Sequence, residues 1–230
     1  SVEARDVLGA LAQNNGDAIP YGEIFIGTAM SSPNLPVVSS ENTVVLSKIV
    51  KIQNANPDAD GTAIPTGIAP VGQFTFTAAS HTNTMNGPDR AVLDGLIFNV
   101  KTQNVAVDAT SFKLYSKDDS SNKADCSALA TGTASLVVTC QNLMTSAVDT
   151  ALNSGESKTV VLEASVQNPK VNPALASALQ VSLSSLNKAA ATSFAADQSH
   201  VSWFSKDAVT MTQFLWIEGI ANVNSTNYQN

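Results

Sequence analysis

Short segments in which apolar and polar residues alternate recur along most of this chain. In "GQFTFTA" (72–78) two phenylalanines alternate with threonines, and in "DGLIFNVKT" (94–102) Leu96, Phe98 and Val100 alternate with other residues. Such alternation is typical of β-strands with one face in a core and the other in water. Further segments of this kind lie at 43–53, 111–117, 135–140, 158–166, 179–186, 200–205 and 212–220. About nine short strands at fairly regular spacing predict an all-β, antiparallel sandwich.

Patterns typical of helices are few. Residues 2–13 space their apolar residues acceptably for a helix, although a glycine interrupts them, and residues 144–156 predict a helical turn or two. The stretch 172–194 is ambiguous because its alanines favour a helix, whereas the residues at 179, 181 and 183 alternate. We predict a strand at that position.

The two cysteines of the chain, Cys126 and Cys140, enclose the segment "SALATGTASLVVT". Thr131-Gly132-Thr133 reads as a turn between two short strands, so this spacing predicts a disulfide-linked β-hairpin. Two free buried thiols are the alternative. Zinc sites use about four ligands in closely spaced pairs, and redox pairs are usually Cys-x-x-Cys, so both are disfavoured here. A disulfide indicates an oxidising, extracellular compartment.

The surface is expected to be polar but weakly charged. Charged residues make up 13% of the chain, about half the usual share, while 43% of the residues are hydrophobic. Such a surface is common in proteins that pack against copies of themselves. The net charge is −7, and the only arginines are Arg5 and Arg90. Nucleic acid is therefore not an expected partner, because phosphate binding needs clustered basic residues.

Membrane insertion is not expected either, because no apolar run approaches the roughly 18 residues that would span a bilayer. The chain begins with Ser1 rather than Met. This is expected of a secreted protein whose signal peptide has been removed, or of a fragment.

Three regions are predicted along the chain: an arm at 1–42 with a short helix or edge strand, the sandwich at 43–220, and a C-terminal tail at 221–230. Within the arm, prolines and glycines surround one apolar segment, Ile24-Phe25-Ile26. This composition suits an extended arm that adds as a strand to the sheet of a neighbouring copy. A surface loop with one docked hydrophobic residue is the alternative.

From Phe74 to about residue 205, the order of segments resembles the immunoglobulin-like β-sandwich modules of bacterial surface-layer-type and other cell-envelope proteins. The closest matches are "FKLY" (112–115), "NSGESKTVVLEASV" (153–166) and "LQVSLSSL" (179–186). The resemblance implies an immunoglobulin-like fold and an exported structural protein at the cell surface. It provides no catalytic residues.

Calcium is the one candidate cofactor. In "NANPDADG" (54–61), Asn56, Asp58 and Asp60 place oxygen ligands at alternate positions before a glycine, as in the first half of a calcium loop. The glutamate expected at the twelfth loop position is replaced by Gly67. A polar β-turn is the alternative. The aspartates of 117–125 form a weaker candidate, because two lysines lie among them.

No motif of a hydrolase or phosphate-binding enzyme is present, so we expect a protein that is not an enzyme. Trp203 and Trp216 are a candidate platform for stacking sugar rings, with a place in the core as the alternative. We predict an extracellular structural protein that forms a surface layer or filament from copies of itself. A carbohydrate-binding or adhesive module of a larger surface protein, with cell-surface glycans as its partner, is the alternative.

Overall fold

The structure is a computed structural model that describes residues 25–26, 28–29, 48–56, 63–79, 90–188, 190–206 and 211–230. The chain divides into two units, Ser1–Val44 and Val45–Asn230. In the first unit, strand β1 (Phe25–Ile26) pairs antiparallel with β2 (Thr28–Ala29). The rest of the predicted arm lies outside the described residues.

The described part of the second unit is built from strands. They are β3 (Ile49–Asn54), β4 (Gly67–Ala78), β5 (Arg90–Gln103), β6 (Ala106–Val107), β7 (Lys113–Ser116), β8 (Asp119–Asp125), β9 (Ser127–Gly132), β10 (Ser135–Cys140), β11 (Ala151–Asn153), β12 (Ser157–Asn168), β13 (Ala178–Leu183), β14 (Val201–Lys206), β15 (Met211–Phe214) and β16 (Val223–Gln229). A single 3₁₀ turn, Leu143–Thr145, is the one helical element among these residues.

The larger sheet has eight strands arranged around β5. On one side β5 pairs with β10 and β11, and on the other side it pairs with β13 and β14. Outside these strands lie β9 next to β10, β15 next to β14, and β16 next to β13. All of these pairings are antiparallel. Because four strands pair directly with β5, it is the central strand of the sheet.

The smaller sheet has six strands in the order β3-β4-β12-β7-β8, and β6 also pairs with β12. Its central pair is β4 and β12, which run antiparallel from Ser157↔Thr77 to Val166↔Gly67 with one register shift after Leu162. From residue 160 to residue 166 the core-facing positions of β12 are valine, leucine and alanine, and all of them are buried. The alternating pattern of 158–166 therefore gives the strand that it predicts.

The two sheets pack face to face over one hydrophobic core. Phe74 of the smaller sheet and Phe98 of the larger sheet have ring centroids 5.8 Å apart, and both are fully buried. The predicted all-β, antiparallel sandwich is confirmed, and it has the two-sheet architecture of immunoglobulin-like domains. The ambiguous stretch is a strand, because Leu179, Val181 and Leu183 are all buried on one face of β13.

Three predictions about the elements are wrong. The expected tail, 221–230, contains β16, which is a strand of the larger sheet. Helical turns are expected over 144–156, but there the structure has only the last two residues of the 3₁₀ turn, and strand β11 follows. The strand expected over 212–220 stops at Phe214. Two of the three buried positions of β16, Ser225 and Thr226, are polar, and the third is Tyr228. Ser225 Oγ accepts a hydrogen bond from Val181 N at 3.0 Å where the pairing of β13 and β16 shifts register.

Candidate assembly edge

The chain passes from one sheet to the other at Cys126. Strand β8 ends at Asp125 as the edge of the smaller sheet, and β9 begins at Ser127 as an edge of the larger sheet. Cys126 N donates to Phe112 O at 3.0 Å, so the corner residue is still bonded on the side of the smaller sheet. One continuous segment therefore forms an edge of each sheet.

The predicted disulfide between Cys126 and Cys140 is present, with Cα atoms 4.5 Å apart. Cys140 is the last residue of β10 and is fully buried, and Cys126 is 8% exposed. The bond closes the open end of the β9–β10 hairpin, as the sequence predicts, and it also fixes the corner between the sheets to β10. The start of β9 is thus held covalently against its neighbour.

Strand β9 is an exposed edge without charge. Its sequence is "SALATG", and five of its six residues are exposed. Leu129 is 69% exposed, and Ala128 is partly buried against the core. In the described part of the chain β9 pairs with β10 alone, so its other side carries no strand. An edge of this kind is a template for another strand, which soluble proteins usually guard with charge, proline or bulges.

The residues of β10 that are hydrogen-bonded to β5, and those that are hydrogen-bonded to β9, show which backbone groups of β9 face outward. Opposite residues in an antiparallel pair alternate between hydrogen-bonded and non-hydrogen-bonded pairs. Thr102 N donates to Ala134 O at 2.9 Å, and the pairing continues in register through β10. Ala134 and every second residue after it are therefore bonded to β5. Val137 and Thr139 lie three and five residues after Ala134, so their backbone N–H and C=O groups point away from β5 and towards β9.

Val137 lies opposite Leu129, and the residue opposite Thr139 is Ser127. Those residues of β9 are therefore bonded to β10. By the same alternation, the N–H and C=O groups of Ala128 and Ala130 point to the open side. The edge thus offers the backbone donors and acceptors of two residues whose side chains are small.

The edge of the smaller sheet is guarded by charge. In β8 and its neighbours, Lys113 Nζ donates to Asp125 Oδ1 at 2.5 Å, and Lys123 Nζ lies 2.7 Å from both carboxylate oxygens of Glu163. Lys123 Nζ also lies 4.9 Å from the centre of the Tyr115 ring. Burial and the nearby Glu163 carboxylate raise the pKa of Tyr115. Charged side chains at an edge discourage pairing with another chain.

The aspartates of 117–125, predicted as a weak ligand set or a solvated loop, belong to this charged edge. The Asp119 carboxylate accepts hydrogen bonds from Ser121 Oγ at 2.5 Å and Asn122 Nδ2 at 2.6 Å. These bonds, with one from the Ser121 N–H, hold the pKa of Asp119 below its ordinary value. Residues Asp119–Asp125 form a strand, and the carboxylates of Asp119 and Asp125 are hydrogen-bonded to neighbouring side chains.

The other edge strands, β16, β3 and β15, differ from β9. Strand β16 and the residue after it are bonded to Asn56 and Ile64: Thr226 Oγ1 donates to Asn56 O, and Ile64 N donates to Asn230 Oδ1 at 3.2 Å. Strand β3 carries the exposed Lys51. Strand β15 is uncharged but has only four residues. Among the edges that the structure describes, β9 is the one that combines length, exposure and absence of charge.

A groove lies beside this edge on the larger sheet, and its lining combines Val100 and Leu136 with six polar side chains; it is called the polar groove below. It has a volume of about 340 Å³, and its polar lining consists of Asn99, Lys101, Thr131, Ser135, Ser182 and Ser184. Asn99 Nδ2 donates to Ser184 Oγ at 2.7 Å, and Ser184 Oγ lies 3.3 Å from His200 Nδ1. His200 is buried, and its Nε2 lies 2.9 Å from Ala196 O. The groove therefore contains hydroxyl, amide and ammonium groups, and hydrogen bonds hold Asn99, Ser184 and His200 in place.

Of the predicted calcium ligands, Asn56 is described, while Asp58 and Asp60 lie outside the described residues. Asn56 N donates to Asn54 Oδ1 at 3.0 Å, and Asn56 O accepts from Asn54 Nδ2 at 3.3 Å. This local turn joins the end of β3 to β16. The residues that the structure describes include no group of three or more His, Cys, Asp or Glu side chains able to hold a metal ion. Calcium binding stays a prediction.

Trp203, one of the two tryptophans of the predicted stacking platform, is buried. Trp203 is 4% exposed, its ring lies 4.7 Å from that of Phe214, and its Nε1 donates to Trp216 O at 3.0 Å. The core alternative is therefore correct for Trp203. Of the predicted self-association residues, Phe25 and Ile26 form β1, while Ile24 lies outside the described residues.

Sequence reasoning identified the disulfide hairpin but not the open edge of β9. The signal was present, because "DSSNKAD" changes to the uncharged "SALATG" across Cys126. Within the described ranges, no helix is long and apolar enough to cross a bilayer.

No protein-family model matches this chain, and no curated protein matches it. Solved structures similar to it include AvmM, which catalyzes macrocyclization in alchivemycin A biosynthesis (13% identity, TM-score 0.31, 80% of this chain and 86% of that chain). They also include the seventh ScaB type I cohesin from Pseudobacteroides cellulosolvens (11%, 0.27, 78% and 90%). A third is ACE19, the collagen-binding subdomain of the Enterococcus faecalis surface protein ACE (7%, 0.23, 67% and 88%).

Proposed function

We propose that this chain is an extracellular structural protein whose copies assemble into a surface layer or filament. The observation that carries the proposal is the open edge of β9, which is exposed and uncharged, whereas the edge of the smaller sheet carries ion pairs. A strand from a neighbouring copy can add to such an edge through main-chain hydrogen bonds. Addition in a head-to-tail sense propagates from copy to copy.

Two further features support an extracellular, structural role. The disulfide lies at the corner between the sheets, and such bonds persist in oxidising compartments. The chain has 13% charged residues, so contacts between copies would bury few charges. Neither feature requires a catalytic site.

Electron microscopy and sedimentation of the purified chain test the proposal. We expect ordered polymer from the wild type and monomers from Leu129→Lys, because a lysine on β9 would place a charge at each junction. The matched control is Leu175→Lys, which changes a leucine of 55% exposure in a loop and should still assemble. A wild-type chain that stays monomeric at high concentration, with and without calcium, would contradict the proposal.

A carbohydrate-binding or adhesive module is the second candidate, and the polar groove favours it. Hydroxyl, amide and ammonium groups from β5, β10 and β13 converge there, and such groups can bond the hydroxyls of a glycan. Binding to a glycan array that is lost in Lys101→Ala, and retained in the matched surface variant Lys117→Ala, would favour this candidate. No binding to any glycan would exclude a carbohydrate-binding role.

A further inference from the structure

We infer that the open edge of β9 binds the segment around Ile24-Phe25-Ile26 of a second copy of this chain. The inference rests on the proposed function and names the two surfaces that meet. The edge requires an extended segment, because what it presents is a row of backbone donors and acceptors. The backbone groups of Ala128 and Ala130 are the ones that face this position.

The side chains on β9 determine which segment fits. Ala128 packs against the core, and by strand alternation Ala130 lies on the same face while Leu129 lies on the outer face beside Val137. The core-facing side of this edge therefore ends in two alanines. A strand added there gains most when its own core-facing residues are large and apolar.

The segment Ile24-Phe25-Ile26 meets this requirement by sequence. In an extended strand its two isoleucines share one face and the phenylalanine takes the other. We place the isoleucines on the face of Ala128 and Ala130, and Phe25 next to the exposed Leu129. Aromatic and aliphatic side chains on neighbouring strands stabilise each other by roughly 0.2–1 kcal/mol.

Neither the segment nor the edge carries a charge that would oppose this pairing. Residues 24–30, "IFIGTAM", carry no charge, and neither does β9. The edge of β8, in contrast, would bring Lys123, Asp125 and their partners against the same apolar segment. Burying those charges next to an apolar strand would be costly. The larger sheet is therefore the expected acceptor.

The test uses a fluorescent peptide of residues 20–30 added to the full chain, with binding followed by anisotropy. Ala130→Pro removes one outward N–H and leaves the bonds between β9 and β10 in place, so it should lower peptide affinity at least tenfold. Ala130→Val keeps the N–H and is the matched control. A peptide carrying Ile24→Lys and Ile26→Lys should not bind.

Leu129→Lys provides a second variant if Ala130→Pro does not fold, because its side chain lies in solvent. Equal peptide binding by Ala130→Pro and Ala130→Val would overturn the inference. So would polymers that persist in the full chain with Ile24→Lys and Ile26→Lys, which would indicate that β9 pairs with β9 of another copy. A monomeric chain that binds no peptide would also overturn it.

The two proposals can fail separately. Polymers that form normally in Ala130→Pro would contradict the edge assignment and leave self-assembly standing. Peptide binding at β9 by a chain that never polymerises would contradict the structural role and leave the edge assignment standing.

Discussion

Gly72 lies so close to Val181 across the two sheets that a β-carbon on the glycine would stand 3.1 Å from the valine Cβ and 3.2 Å from its Cγ1. Val181 is fully buried on β13, and its β-branched side chain has little rotamer freedom. A side chain at position 72 would therefore require Val181 or the sheets to shift by a few tenths of an ångström. Phe74, which would be 3.3 Å from the same added atom, limits movement on the other side.

Gly72→Ala should destabilise the sandwich by about 1–3 kcal/mol, the usual cost of overpacking a core. The measurement is the urea midpoint of unfolding. Gly132→Ala is the control, because nothing lies within 4 Å of a β-carbon added there, and its midpoint should be nearly unchanged. A Gly72→Ala midpoint equal to that of the wild type would mean that the sheets separate at little cost.

Buried hydroxyls provide a matched pair of variants. Ser225 Oγ accepts from Val181 N where the sheet shifts register, so Ser225→Ala leaves that buried N–H without its acceptor and should cost about 1–3 kcal/mol. Among the buried polar side-chain atoms that the structure describes, Ser116 Oγ has no hydrogen-bond partner. Ser116→Ala should therefore be neutral or slightly stabilising in the same urea titration. Equal losses in both variants would contradict this assignment.

The same residues show how far the sequence predicts this fold. Strands such as β5, β12 and β13 follow from alternation, because their core-facing residues are apolar. Strand β16 does not, because its buried positions include Ser225 and Thr226, whose hydroxyls are bonded to backbone groups of other segments. A polar strand that is buried through hydrogen bonds has no hydrophobic period to reveal it.

The candidate site was predictable in part. The spacing of Cys126 and Cys140 predicts the hairpin, because a turn lies midway between them. Strands β8 and β9 each pair with the strand next to them in the sequence, Lys113–Ser116 and Ser135–Cys140. The exchange of sheets at Cys126 arises because those two strands join different sheets, one through β12 and the other through β5, and these long-range pairings depend on the whole core. The openness of the β9 edge is likewise a property of the assembled sheet.

Stability should fall in acid in part through Asp149. Burial raises the pKa of Asp149, but the hydrogen bond from Lys158, the Ala151 N–H and the charges of Lys158 and Arg90 outweigh burial and hold that pKa below its ordinary 3.8. The ionised carboxylate therefore stabilises the folded chain above about pH 4, and this contribution is lost as the pH falls through the lowered folded pKa.

Asp149→Asn should lower the free energy of unfolding at pH 7 by about 1 kcal/mol, because a largely exposed carboxylate is screened by solvent. The difference from the wild type should shrink below pH 4 in urea titrations at a series of pH values. Asp118→Asn, an exposed aspartate in the turn before β8, is the control and should show no such loss. A loss that is the same at pH 3 and pH 7 would exclude the ion pair with Lys158 as its cause.

Calcium, if bound, should act through Asp58. Asp58→Ala is expected to lower the melting temperature in the presence of calcium and to change it little in chelator, because a bound ion stabilises only the folded state. Asp118→Ala is the control for removal of one carboxylate. Equal effects with calcium and with chelator would mean that residues 54–61 form a turn without an ion.

The disulfide should be worth about 3 kcal/mol, because closing a loop of some 15 residues restricts the unfolded chain by that amount. Cys126 and Cys140 replaced together by alanine should therefore unfold at a lower urea concentration than the oxidised wild type. Alanine is chosen since Cys140 is fully buried and a polar replacement would add its own cost. The reduced wild type should unfold near the double variant, and alkylation without reductant should label neither cysteine of the purified protein. Labelling of both cysteines, or a midpoint that reductant does not move, would contradict a stabilising disulfide and with it the argument for an oxidising compartment.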